Sequence, residues 1–295
     1  MQKTTGSFYD LLKLDPRISP EIIKRYQELY QLDKPLMVQY FQWVKNLLHL
    51  EFGYSFYYNI PVGHVISARL FNTFILSLAS FLLTWLVAIP LGIWAALHRN
   101  RLIDRVIQFS SYVALSTPSF FLAMLLLFWG SQAGILPLGG MRSAGYDDLS
   151  AFGKMIDVLR HLVIPTLALS IGGIGSLQRL MRGNMLEVLR QQYILTARAK
   201  GLPENRVIYG HALRNAVNPL VTLLGYELGD LLSGAALIEI ICGWPGLGNL
   251  MLTAVQSKDV YLVMASLMMG GALFLMGNLI ADLILARVDP RIRYE

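Results

Sequence analysis

Apolar residues in this chain gather into five long segments, at 70–97, 106–135, 161–178, 216–240 and 260–286. Each is close to the ~20 residues that cross a bilayer as a helix. This predicts an all-α membrane protein with five spans. The third segment is uncharged, and its Gly172, Gly173 and Gly175 suit close helix packing. Pro90, Pro118 and Pro165 fall inside segments and are expected to kink their helices, which neighbouring helices can tolerate.

A polar stretch at 179–215 separates the third and fourth segments. Within it Leu186, Leu189, Tyr193 and Ala197 recur at three- and four-residue intervals, while Glu187, Arg190, Gln191 and Arg198 fall elsewhere around the turn. That spacing predicts a helix with one apolar side. Gly201 is placed to stop it and Pro203 to prevent its restart. Taken alone, such a helix could simply rest on a lipid surface.

Before the first segment, residues 1–66 are mixed in character and hold no run long enough to span. Ser19, Pro20 and Glu21 read as a helix start, and Asp33, Lys34 and Pro35 as the break before a second short helix through Trp43. By itself this region predicts a small cap on the membrane surface.

Composition supports the pattern: of 295 residues 55% are hydrophobic and 15% charged, against roughly 25% charged in a soluble domain. The net charge of +6 does not indicate nucleic acid, because the basic residues border apolar runs and form no patch interleaved with aromatics. Lysine and arginine instead report topology. Thirteen lie at 98–105, 179–215 and beyond 286, and four lie at 136–160 and 241–259, so the first set is expected to face the cytoplasm. Residues 1–66 are then extracytoplasmic, 67–287 form the transmembrane domain and 288–295 a cytoplasmic tail. Nothing within residues 1–66 resembles a leader that would carry them across.

Few residues suggest chemistry. Glu227, Asp230, Glu239 and Asp282 are acids in apolar segments, where a carboxylate is costly and generally faces a cavity or partner. Glu227 and Asp230, three apart, share a helix face and could line a pathway or simply make a packing contact. Glu239 and Asp282 are expected near span ends, at the interface. GWPGLG at 243–248 has the glycines of a phosphate cradle but no following Gly-Lys-Ser/Thr, so it reads as a tight turn with Trp244 as interfacial anchor. Cys242, the single cysteine, excludes an internal disulfide and offers a labelling handle in an outer loop. The five histidines form no metal-ligand pair, and no Gly-x-Ser-x-Gly elbow occurs, so no catalytic residue, metal or cofactor is expected.

The wording of the basic loop adds a family. YILTARAKGL followed by HALRNAVNP resembles the coupling loop, the EAA motif, of permease subunits of ATP-binding cassette (ABC) importers in the dipeptide, oligopeptide and nickel branch. The motif's Glu-Ala-Ala falls on Leu195, Thr196 and Ala197, its glycine on Gly201 and its later apolar positions on His211 and Leu213. Its glutamate is absent, and Arg214 stands where its proline would be. EIICGWPGLG, the N-terminal LDPRISPE and the closing DPRIRY resemble the same branch, so the likeness spans nearly the whole chain.

The resemblance implies the type I ABC importer transmembrane fold. It also implies a coupling segment from Tyr193 through Leu195, Thr196, Ala197, Arg198, Ala199, Lys200 and Gly201 to Leu202, docking into an ATPase. An extracytoplasmic loop of Trp244, Pro245, Gly246, Leu247 and Gly248 is then expected beside the translocation path or the binding protein. The implied partners are a second homologous permease, two ABC ATP-binding subunits, an extracytoplasmic solute-binding protein and membrane lipid. The family's first helix, with a cytoplasmic N-terminus, has no counterpart in these 295 residues and is expected upstream of Met1. With no Walker motif here, ATP hydrolysis is expected in a partner subunit. The alternative reading is an ion-coupled secondary transporter using Glu227 and Asp230.

Overall fold

A computed structural model of the chain describes residues 34–220, Leu223 and residues 235–288. The contacts divide it into two units, one of Met1–Asn72 and Pro245–Gly271, the other of Thr73–Trp244 and Ala272–Glu295.

In the first unit, Pro35 opens helix α1 (Leu36–Leu47), since its fixed φ suits the entry to a helix. The expected second short helix is therefore present and runs past Trp43. It is followed by a short antiparallel hairpin that the sequence pattern does not announce, β1 (Tyr54–Ser55) pairing with β2 (Ile60–Pro61). Asp259 ties the hairpin down: it is fully buried and accepts from the Ser55 hydroxyl at 2.7 Å and the Tyr57 N–H at 3.2 Å. The same carboxylate takes the Leu262 N–H at 3.2 Å, capping helix α10 (Val260–Val288). Helix α9 (Leu247–Gln256) completes the unit.

The second unit is built on helix α5 (Ala151–Val188), which begins where the Ser150 hydroxyl accepts from the Gly153 N–H. The expected span at 161–178 is thus the middle of a 38-residue helix. Helix α2 (Val62–Leu97) runs parallel to it. Going up α2, Ser80 O meets the Ser170 hydroxyl at 3.1 Å and Thr84 abuts Gly173. Further on, Gly92 lies so close that a Cβ there would come within 2.7 Å of Met181. Gly175 likewise permits close approach, to the Ser111 carbonyl, while Gly172 faces open space.

Helix α3 (Leu102–Ser116) lies antiparallel to α5, with Asp104 opposite Arg182 and Ser111 opposite Gln178. Pro118 does more than kink its helix. It forces Thr117 into an extended conformation, and α4 (Ser119–Ala133) leaves at 103° to α3. Pro90 and Pro165 sit inside unbroken helices.

Among the described residues three helices are long and apolar enough to cross a membrane: α2, α5 and the 260–279 part of α10. The bent α3–α4 pair makes a fourth if counted as one span. Most of the expected span at 216–240, including Glu227 and Asp230, lies outside the described residues, as do Ser19, Pro20 and Glu21. Leu86, Phe109 and Leu275 are each about 70% exposed. So much open apolar surface needs lipid or partner subunits to cover it.

Candidate functional site

The basic stretch finishes α5 and then folds as a knob beyond its end. A single amphipathic helix was expected here, but the chain breaks at 189–191 and resumes as α6 (Gln192–Ala199). The break resets the helical phase, so the buried face is not the one the four-residue rhythm indicates. Leu186 and Leu189 pack at the core edge, and Ala197 is buried, but Tyr193 is 44% exposed and Ile194 is fully buried in its stead. Ile194 packs in a cluster with Met181, Met185, Val207 and Ala212.

This arrangement seats α6 by Ile194 and Ala197 and presents Tyr193, Leu195, Thr196, Arg198, Ala199 and Lys200 outward. The Thr196 hydroxyl turns back to the Gln192 carbonyl at 2.9 Å, leaving its methyl outside. Gly201 ends the helix as expected, with φ of +76°, a left-handed conformation that costs an L-residue steric energy. Leu202 returns to the core cluster. Arg198 bridges the turn to Glu204 at 2.5 Å; both side chains are substantially exposed, so the pair shapes the turn more than it stabilises the fold.

Beyond Pro203 the chain winds as a π-helical turn (Arg206–Ala212) and then the short α7 (Leu213–Ala216). The wide turn has a packing result. Val207, Ala212, Ala216 and Leu220, spaced five, four and four apart, are all fully buried on one side. His211 is exposed and Leu213 packs at the core edge.

Under the knob, Arg182 grips Asp104 with two parallel hydrogen bonds, Nε to Oδ1 at 2.7 Å and Nη2 to Oδ2 at 2.8 Å. Asp104 also accepts the Asn100 N–H at 2.9 Å, closing the turn between α2 and α3. This clamp was not anticipated. Its signal is a lone acid in an apolar helix next to a basic turn.

At the other end of α5, helix α8 (Ala236–Ile241) enters the 243–248 turn. Two expectations are corrected here. Glu239 is not interfacial: it is fully buried and accepts the Thr73 hydroxyl at 2.6 Å. Trp244 is not an interfacial anchor either, being fully buried against Leu76, Leu162 and Ala235. In both cases a polar or amphipathic group finds its partners inside the helix packing.

The Cys242 carbonyl accepts the Gly140 N–H at 2.9 Å, and Gly139 passes so near that a Cβ there would come within 2.9 Å of the same oxygen. In the first unit, the Asn72 side chain donates to the Pro245 carbonyl at 2.8 Å, Gly246 caps α9, and Leu247 is buried while Gly248 is half-buried. Cys242 itself is 2% exposed, and burial pushes its thiol up to about 11. A water-soluble maleimide applied at neutral pH is therefore expected to leave Cys242 unlabelled until the chain is denatured. Rapid labelling of the folded chain would show that this turn opens.

Long apolar helices carrying a seated basic knob define a helical membrane protein. The sequence profile of the binding-protein-dependent transport system inner membrane component matches residues 88–294. The oligopeptide transport system permease protein AppB of Bacillus subtilis is 38% identical over 284 residues, 96% of this chain and 89% of that one. The probable D,D-dipeptide transport system permease protein DdpB of Escherichia coli is 35% identical, covering 94% of this chain and 86% of that one. In fold the chain is similar to the MetNI methionine ABC transporter in its inward-facing form. The TM-score is 0.60 at 16% identity, covering 76% of this chain and 96% of that one.

The chain belongs to the family of binding-protein-dependent transport system inner membrane components. It is a multi-pass plasma-membrane permease subunit of an ABC importer, with the type I importer transmembrane fold, and works with a separate ATPase and a substrate-binding protein. This does not favour the ion-coupled alternative built on Glu227 and Asp230.

Proposed function

We propose that the chain carries peptides through an ATP-driven importer, paired with a second homologous permease. Two ABC ATP-binding subunits and an extracytoplasmic solute-binding protein complete this assembly. The 179–215 loop and the C-terminus face the cytoplasm and residues 1–66 face outward, a topology supported by the thirteen-to-four division of basic residues. The segment 190–202 docks on the ATPase. Trp244, Pro245, Gly246, Leu247 and Gly248 lie towards the delivering binding protein, and Glu227 and Asp230 line the pathway. The peptide class rests on the names of the relatives.

The observation that carries the coupling role is the division of labour within α6. Ile194 and Ala197 fix it to the bundle, while its other face is exposed and ends in the left-handed Gly201. A segment held rigidly on one side and bare on the other can pass a push from an ATPase into α5 and the turn after it.

The test uses Gly201→Val. Nothing lies within 4 Å of a Cβ at this position, so only the backbone is penalised. A β-branched residue in the left-handed region should cost about 1–2 kcal/mol. The variant is expected to insert normally, lose most peptide uptake and co-purify poorly with the ATPase. Normal uptake would sink the coupling role of 190–202.

A further inference from the structure

The first unit holds a cleft of about 690 Å³ that the coupling site does not involve. It falls within the roughly 300–1,000 Å³ of small-ligand sites. One wall is the face of α1 that carries Gln39, Gln42 and Asn46, and the opposite wall is the first turns of α2 with His64 and Ser67. Trp43 forms the floor. It is 8% exposed and fixed by its indole N–H, which donates to the Phe52 carbonyl at 3.2 Å. Tyr261 closes one end, its ring so near Gly53 that a Cβ there would lie 2.9 Å away.

Among the described residues Glu51 is the only acid in the lining, and no lysine or arginine accompanies it there. The backbone places it deliberately: its N–H donates to the Asn46 carbonyl at 3.1 Å, directly after Leu50, which is held at φ of +61°. A leucine kept in the left-handed region marks a position that the surrounding structure over-determines, as at binding sites. Beside Glu51, the Gln42 amide donates to the Asn46 side-chain oxygen at 3.2 Å. The Gln42 carbonyl and the Asn46 amino group remain to face a ligand.

One carboxylate, a row of carboxamides and aromatic walls match an ammonium group followed by peptide units. The carboxylate takes the cation in charge-assisted hydrogen bonds, the aromatic faces favour it further, and the amides pair with a peptide backbone. We infer that this cleft binds the amino-terminal end of a short peptide, with Glu51 receiving the ammonium. The inference rests on the reading of the chain as a peptide permease and adds a place where the peptide is held.

The test titrates the permease–ATPase complex in lipid nanodiscs, with ATP and the solute-binding protein left out, with tri-alanine and with N-acetyl-tri-alanine. Tri-alanine is expected to bind saturably and about tenfold more tightly than the acetylated form, the difference of one charge-assisted contact. Glu51 is exposed, so Glu51→Gln should leave the fold intact and bring the two affinities together, while Glu51→Asp keeps the preference. Absence of saturable binding, or an unchanged preference in Glu51→Gln, overturns the inference. So does a weakened hold on the solute-binding protein with peptide affinity unaltered, which would make the cleft a protein contact. ATP-driven uptake by the wild type is scored separately. Uptake without binding refutes the cleft alone, and binding without uptake refutes the peptide-permease reading alone.

Discussion

Arg182→Ala is expected to destabilise the folded chain by about 3 kcal/mol, near the lower end of the cost of breaking a buried ion pair. The Asp104 side chain is 4% exposed and that of Arg182 21%, so removing the arginine leaves a carboxylate in a nearly water-free position. Its remaining described hydrogen-bond partner there is the Asn100 N–H, with the Arg99 charge as weaker company. The penalty is that of an uncompensated charge, and the attraction lost is secondary. The double variant Asp104→Asn with Arg182→Gln should accordingly be more stable than Arg182→Ala alone. Arg182→Lys should rescue only in part, because an ammonium cannot make both parallel bonds. Thermal unfolding in detergent reads all three, and an unchanged midpoint for Arg182→Ala would mean that the clamp contributes nothing.

Ile194→Ala is expected to abolish coupling while the membrane helices stay folded. Truncating a fully buried isoleucine costs about 2–5 kcal/mol. An eight-residue helix held mainly by this side chain and Ala197 has little else with which to absorb that loss. α6 should then detach from the core, and ATPase co-purification and uptake should both fall more than about tenfold, the effect of 1.4 kcal/mol. Tyr193→Ala, on the exposed face, should leave the melting behaviour unchanged, and Ile194→Val should restore coupling. Equal uptake by Ile194→Ala and wild type would show that α6 needs no seat.

Ile194 also shows where sequence reading stopped. The apolar rhythm through Leu186, Leu189, Tyr193 and Ala197 is continuous on paper, and only the three-residue break at 189–191 turns Ile194 inward and Tyr193 outward. Local signals were legible where one residue type dictates the backbone. Pro35 before α1, Pro118 at the α3–α4 corner and left-handed Gly201 all stand where their chemistry requires. Features that depend on tertiary partners were not. Glu239 and Trp244 look interfacial by residue type, yet Thr73 and the Leu76–Leu162 packing, distant in sequence, take them inside. The π-helical turn has no sequence signal of its own, because the five-residue spacing from Val207 to Ala212 gains meaning only once both are seen to be buried. The proposed coupling role of 190–202 rests on wording shared with a family, since periodicity does not distinguish a docking knob from a helix lying on lipid.

The parallel course of α2 and α5 carries an arithmetic of its own. Two rods that cross a sheet in the same direction oblige the chain to travel back between them, and the bent α3–α4 pair stands at that point in the sequence. Each arm has 15 residues, about 22 Å of rise, short of the ~30 Å hydrocarbon thickness. A single span made of this pair would use both arms and place its corner within the oily layer, where bare carbonyls have no water to meet. Ser116 and Thr117 supply the need at the elbow, each hydroxyl donating to the Val113 carbonyl, at 3.0 and 2.8 Å. The chain between the two parallel helices is thus jointed at Thr117, and the carbonyl left over at the elbow is met by two neighbouring hydroxyls in place of a continued helix.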